Sequence, residues 1–550
     1  MHVFSSSLRH LVAILVLTGC AFAQSSKCVV VRSHTPSPAE KAFLDGDFDH
    51  AADLYHEQLQ QNPNDSAATV GLVRVLLKQQ KVKEANDLVQ KALVADPKSV
   101  PLLTAQAEVQ YRDGKPWLAA VTADSALKLD LCNAQLHLLQ ARLYRINSYY
   151  ASSAREIALA HSLEPDDPAI RLRWLETLPL AKRITELEAY LASPTGSDPD
   201  EIKRLHFYLD HLKKQEDQPH KACHLVSNNS STSIPFAALL RDATHIRAWG
   251  LDVKLNDRNA RLQIDTGASG LVISRSVAEH AGLERFSQNE VGGVGDKGRQ
   301  SGYTAFVDSI KIGSLEFHDC IVQVFDQRNV VDNDGLIGMD VFSRFLVTLD
   351  FPMRKLLLDP LPPRPNEAAP PKPTLETAAT PGEQTETESA AASVSAEKTV
   401  PVGPRDRYIA PDMKDWTRVY RVGHSLIVPA SLNNSSPRLF ILDTGSFTTT
   451  ITPEVAREVT KVHSDDRTIV KGLSGNVDKV YQADEITFKF ANLSQQVRGV
   501  VAFDTPGISK SIGMDISGLI GFTALGQTTM KIDYRDGLVN FSYDPNRGYR

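Results

Sequence analysis

The chain has 550 residues, 42% hydrophobic and 23% charged; that length excludes a single core, and the composition is ordinary for soluble globular proteins. A formal net charge of −6 argues against nucleic acid as a main partner, because phosphate backbones are met by a surplus of cations. Three or four domains are expected.

At the start of the chain, Arg9 and His10 precede an apolar run over 11–17, too short to cross a bilayer. Residues 1–23 read as a signal peptide, to be set aside before reasoning about fold, and export is expected. Leu17-Thr18-Gly19-Cys20 resembles a bacterial lipobox. That resemblance implies lipidation of Cys20, membrane attachment through the anchor, and a periplasmic or outer-membrane-associated lipoprotein. Ala21-Phe22-Ala23 instead fits ordinary cleavage before Gln24 and a secreted soluble protein. The five cysteines, Cys20, Cys28, Cys132, Cys223 and Cys320, form no CxxC pair, which excludes a zinc ribbon or a thioredoxin-like site. Cys223 and His224 are adjacent and point in different directions, so Cys223 is expected to be buried or disulfide-bonded rather than nucleophilic. Export permits disulfides, and their pairing is open at this level.

Over 36–217 the chain repeats itself every 34 residues. Pro63, Pro97, Pro165 and Pro199 share one lattice, with Leu131 at the vacant node. Gly46, Gln80, Gly114 and Ser148 share a second, Ala51, Ala85, Ala119 and Ser153 a third, and Gln58, Ala92, Ala126 and Ala160 a fourth. Small residues are expected where two helices of a hairpin approach closely, and proline where the second helix ends. Tyr55 and Leu59, or Leu72, Val73, Leu76 and Leu77, keep helical spacing between these points. The pattern resembles tetratricopeptide repeats, degenerate and capping from about Leu172 onward. The resemblance implies an all-α solenoid with a groove for a protein or peptide partner; a ligand-free spacer is the alternative. Trp117, Tyr144, Tyr149 and Tyr150 are candidates for the groove or for the core.

After about residue 235, short alternating apolar runs broken by glycine read as β-structure. Here one module is written twice, at 235–360 and 405–550. Asp265-Thr266-Gly267-Ala268 corresponds to Asp443-Thr444-Gly445-Ser446; Tyr303 and Tyr481 each follow their aspartate by 38 residues, and Asp326 and Asp504 by 61. Leu336-Ile337-Gly338 and Leu519-Ile520-Gly521 follow at 71 and 76 residues. Each Asp-Thr-Gly ends an apolar strand, Leu262-Gln263-Ile264 or Phe440-Ile441-Leu442. A carboxylate there is costly unless paired or hydrogen-bonded. Glycine lets the backbone turn beside it, and threonine offers a hydroxyl to brace the turn. Two such carboxyls face to face share a proton. The ionised one can then take a proton from water while the protonated one polarises a peptide carbonyl.

This constellation resembles the retropepsin-like aspartyl proteases. The resemblance implies two all-β acid-protease lobes, catalytic Asp265 and Asp443, and turns supported by Thr266, Gly267, Ala268, Thr444, Gly445 and Ser446. It also implies packing of Leu336, Ile337, Gly338, Leu519, Ile520 and Gly521 around those turns. Flaps are expected at 291–299 and 470–478, with Gly293, Gly295, Gly472 and Gly475 as flap glycines. Tyr303 and Tyr481 lie beyond the glycine turns, so the flaps look more retroviral than pepsin-like. Ala268 faces Ser446 across the duplication, so a hydroxyl able to steady the dyad from outside is present on one side only.

Between the lobes, 361–404 is rich in Pro, Ala, Thr and Glu without an aromatic residue and reads as a flexible linker. A coil of about 45 residues spans on the order of 35–40 Å, enough for the lobes to meet. Residues 293–298 match GxGxxG, but strand rather than helix follows. Asp332-Asn333-Asp334-Gly335 lacks the glutamate that would complete a calcium loop. His280, His318, His424 and His463 have no counterparts in the other copy. No metal and no cofactor are expected. The expected function is an exported aspartic endopeptidase acting on polypeptides, with the repeats recruiting a partner or substrate. A non-catalytic envelope scaffold, and a peptidase pairing like lobes between chains, are the alternatives.

Overall fold

The computed structural model describes residues 28, 35–217, 223–227, 231–240, 246–326, 334–365 and 405–544. The expected signal peptide with Cys20, and the linker from 366 to 404, lie outside the described residues.

Between 38 and 217 the chain forms eleven helices, from Pro38–Leu44 to Pro199–Asp217. Asp47, Asp65, Asn133 and Asp167 begin helices by accepting a backbone N–H two or three residues on, which satisfies otherwise orphaned donors. Pro63, Pro97 and Pro165 directly follow the caps that end a second helix, as expected. Pro199 does not: it opens the last helix, and Pro194 follows the cap of the helix before it. The third lattice is a close approach, with Ala51, Ala85 and Ala119 fully buried.

The second lattice has a different cause from the one expected. Gly46, Gln80, Gly114 and Ser148 all sit at positive φ, 79°, 63°, 68° and 60°, so each closes the first helix of a hairpin in the left-handed conformation that glycine adopts without penalty. The array then closes on itself. Gly196 N–H donates to the Leu44 carbonyl at 2.7 Å, Arg74 pairs with Asp167 at 3.1 Å, and Lys78 with Glu201 at 3.2 Å. Inside lies a cavity of about 540 Å³, lined mainly by the first helices of the hairpins, by Pro199–Asp217, and by Lys510 from the C-terminal half. Trp117, Tyr144, Tyr149 and Tyr150 are not among its lining residues; Trp117 packs toward the C-terminal half, and the Tyr150 hydroxyl accepts from Arg421 there.

The β half forms two large sheets, one per lobe, and a third that joins them. In the third, Phe345–Asp350 of the first lobe pairs antiparallel with Thr528–Asp533 of the second, Val347 opposite Ile532 and Leu349 opposite Met530. The lobes therefore meet within one chain. Strands His224–Leu225 and Thr232–Pro235 lie ahead of the expected start at 235 and pair with Leu315–Phe325 and Lys355–Pro360 of the first lobe. Cys28 is bonded to Cys132 and Cys223 to Cys320. Helices Val100–Arg112 to Ala134–Ile146 share one apolar cluster with Ile427, Leu439, Ile441, Met514, Ile516 and Leu519 of the second lobe.

Candidate active site

Strand Arg258–Asp265 lies parallel to Gly335–Gly338, which pairs on its other side with Leu271–Ser274; the register sets Ile264 opposite Ile337 and Asp265 opposite Gly338. The second lobe repeats this, with Ile441 opposite Leu519 and Leu442 opposite Ile520. Both Leu-Ile-Gly segments thus lie beside a strand that leads into an Asp-Thr-Gly turn. A side chain at Gly338 would collide with the Ala268 carbonyl, and one at Gly521 with the Thr448 carbonyl, so only glycine lets the following turn close.

The two Asp-Thr-Gly turns meet. Thr266 Oγ1 donates to the Leu442 carbonyl at 2.7 Å and Thr444 Oγ1 to the Ile264 carbonyl at 3.2 Å. Each hydroxyl also accepts the other threonine's backbone N–H, at 3.0 and 3.1 Å. The hydroxyls thus brace the opposite lobe rather than their own turn. Asp265 accepts from Gly267 N–H at 2.8 Å; Asp443 accepts from Gly445 N–H at 2.9 Å and Ser446 N–H at 3.0 Å. The Ser446 hydroxyl goes to the Thr448 carbonyl, so the hydroxyl support expected on one side of the dyad is absent. The facing glycines leave room for the carboxyls: a Cβ at Gly267 would lie 2.9 Å from the Asp443 carboxyl carbon, and one at Gly445 would collide with that of Asp265.

The carboxyls of Asp265 and Asp443 hydrogen-bond one another. Burial, then the charge of Asp443, pushes Asp265 well above the usual carboxylate range. Burial also raises Asp443, but the N–H groups of Ser446 and Gly445, the bond from Asp265 and the charge of His424 hold it back. Two carboxyls so placed hold one proton between them.

Both expected flaps are hairpin tips, and they meet each other. Strands Glu284–Val291 and Gln300–Ile312 carry the first; Lys471–Gly472 and Gly475–Asn476 form the second. Asp296 N–H donates to the Asn476 carbonyl at 3.0 Å, Lys297 N–H to Ser474 at 2.9 Å, and Ser474 N–H to Val294 at 2.9 Å. Gly293 N–H donates to Ser474 Oγ at 3.1 Å. Gly295 and Gly475 sit at φ 125° and 88°, and any side chain at Gly295 or Gly472 would strike the facing tip. Leu473 packs onto the cluster of Val272, Val291, Phe325 and Leu336 in the first lobe, and Val294 onto the cluster holding Ile441 and Leu519 of the second. The GxGxxG match is this tip, and Asp334 accepts the N–H of Arg261 in the strand before the first turn at 2.9 Å.

Two residues that sequence reasoning did not assign touch the turns. His424 Nε2 meets the Gly267 carbonyl at 2.8 Å, and Gln263 Nε2 donates to the Gly445 carbonyl at 3.2 Å. Gln263 is visible as the polar residue between Leu262 and Ile264 just ahead of Asp265; nothing local marks His424.

Residues 251–341 match a family model described as aspartyl protease, and 42–109 one for tetratricopeptide repeats. A stretch of 110 residues is 29% identical to the DNA damage-inducible protein 1 of Neurospora crassa. It covers 20% of this chain and spans about a quarter (24%) of that relative's length. A solved structure of a thermophilic TPR protein from Thermus thermophilus is 21% identical with a TM-score of 0.26, covering 30% of this chain and 93% of that one.

Proposed function

We propose that this chain, with its retropepsin-like aspartyl protease domain at 251–341 and tetratricopeptide repeats at 42–109, is an exported aspartic endopeptidase with one site made of Asp265 and Asp443. The observation that carries the reading is the pair of facing carboxyls, one from each lobe, Asp265 buried and Asp443 partly buried, hydrogen-bonded to each other and locked by crossed threonines. Asp443 takes a proton from a water as its oxygen attacks the scissile carbonyl carbon. Asp265 gives its proton to the carbonyl oxygen, forming a neutral gem-diol. Transfer of the proton held by Asp443 to the amide nitrogen then breaks the C–N bond, and a diol proton returns to Asp265 as the acid product forms. Val294 and Leu473 at the flap tips are apolar side chains of the kind that cover an extended polypeptide, which supports burial of the substrate before chemistry.

The helical ring is the recruiting element. Its cavity is lined by eight cationic side chains and four carboxylates, which suits an acidic segment of a partner or substrate. Export, with a lipid anchor on Cys20, agrees with two disulfides that pair the other four cysteines, since such bonds persist outside the reducing cytosol.

Purified protein incubated with a denatured polypeptide from acidic to neutral pH is expected to produce fragments, blocked by a hydroxyl-bearing transition-state analogue of peptide hydrolysis. Asp265→Asn and Asp443→Asn should each cut turnover roughly 10³-fold or more, and the double variant should be hardly worse, because the pair acts as a unit. Binding of the polypeptide without cleavage by the wild type would sink the peptidase reading in favour of a scaffold.

A further inference from the structure

Around the dyad the duplication is broken at one contact. The two Asp-Thr-Gly turns offer equivalent carbonyls, Gly267 and Gly445, and each is met by a side chain of the other lobe. Gly445 is met by Gln263, two residues before Asp265 on the catalytic strand. Gly267 is met by His424, which stands in the tight turn between strands Tyr420–Val422 and Ser425–Leu432, after Gly423 at φ 58°. The position matching Gln263 in the second lobe is Ile441, and the one matching His424 in the first is Ile246. The two contacts are therefore not copies of each other. They supply the same hydrogen bond from different elements, with one chemical difference: a glutamine is always neutral, whereas an imidazole carries positive charge in acid.

We infer that His424 is a positioning residue for the dyad, which through its hold on the Gly267 turn and its charge beside Asp443 makes Asp443 the proton acceptor and Asp265 the donor. The inference rests on the peptidase reading. Two carboxyls on near-identical turns would otherwise divide one proton evenly. Here the N–H of Ser446 on Asp443 is matched by that of Ala268 on Asp265, and the asymmetry lies with His424, which holds the Gly267 turn and whose charge favours ionised Asp443. The other ionisable groups in this region are committed elsewhere. Arg421, on the same hairpin, donates to the carbonyls of Gly423 and Tyr534 and to the Tyr150 hydroxyl. Asp340 is bound by Ser269 and by the Gly270 N–H. Tyr534 is fully buried, and its phenol is pushed up by that burial, staying neutral.

The test is His424→Gln, which keeps an N–H donor and removes the charge, compared with His424→Leu, which removes both. The acid limb of the kcat/KM profile for a denatured polypeptide should move to higher pH by about 0.5–1 unit in His424→Gln, since an opposite charge nearby favours the ionised carboxylate. The alkaline limb should move less than the acid limb. His424→Leu should lower kcat at every pH. A second readout does not need turnover: the side-chain ¹³C resonance of Asp443, assigned by its loss in Asp443→Asn, should titrate at higher pH in His424→Gln than in wild type. Superposable titrations overturn the inference even if wild type cleaves. A shifted titration in a protein without turnover would retain the positioning role and reject the peptidase reading.

Discussion

At Thr266 one hydroxyl serves both lobes, donating to Leu442 and accepting from Thr444 N–H in a place closed to water. Thr266→Val keeps the shape and strands both partners. An unsatisfied buried group costs about 1–3 kcal/mol, so a loss of about 2–5 kcal/mol is expected, with Thr266→Ser near wild type. Calorimetric unfolding decides this; a valine variant melting with wild type would mean that the crossed hydroxyls add nothing to lobe pairing. The aspartates and glycines of the turns were legible, because their placement follows from backbone geometry within a few residues. The direction of the threonine bonds, the diversion of Ser446 to Thr448 and the reach of His424 were not, because each depends on what another part of the chain places opposite.

Among elements, the contact of helical ring and second lobe carries a titratable group of its own. Asp515 N–H donates to the Arg112 carbonyl at 2.8 Å, and its own carbonyl abuts Gly114, where a Cβ has no room. Burial, reinforced by Asp113 and Glu454 and offset by Arg438 and Lys115, pushes the Asp515 carboxyl up to about 6. The folded state thus holds this proton more tightly than the unfolded chain. The corresponding stability is complete below about pH 4 and is lost as pH rises through about 6. Asp515→Asn should be more stable than wild type at pH 7, by up to about 3 kcal/mol and by less where water screens the site. Denaturant unfolding from pH 4 to 7 should show a flatter profile for the variant; parallel profiles would remove Asp515 from this role. The same contact explains why the repeat lattice was read correctly and its cause misread. Periodicity reveals that positions 46, 80, 114 and 148 are equivalent, but not that they share a left-handed backbone, nor that Gly46 and Gly114 also face Ser197 and Asp515.

For the molecule as a whole, the sheet joining Phe345–Asp350 to Thr528–Asp533 places both aspartates in one chain's site. Mixing Asp265→Asn with Asp443→Asn should restore no cleavage, since every site then contains one asparagine. Recovery on mixing would indicate lobes exchanged between chains, and substantial activity in either single variant would indicate like lobes paired between chains. Sequence alone determined the helical front, the duplicated β half, the Asp-Thr-Gly turns, the Leu-Ile-Gly buttresses and the flap positions, because period, alternation and turn chemistry are properties of neighbouring residues. Only the tertiary structure decided that the ring closes, that the flaps meet tip to tip, that the repeats share a core with the second lobe, and that His424 and Gln263 touch opposite Asp-Thr-Gly turns. Those contacts join residues as far apart as Gly267 and His424, or Ser152 and Asp406, at separations of 157 and 254 residues. At such distances no local pattern constrains the partner, and packing of the whole chain selects it.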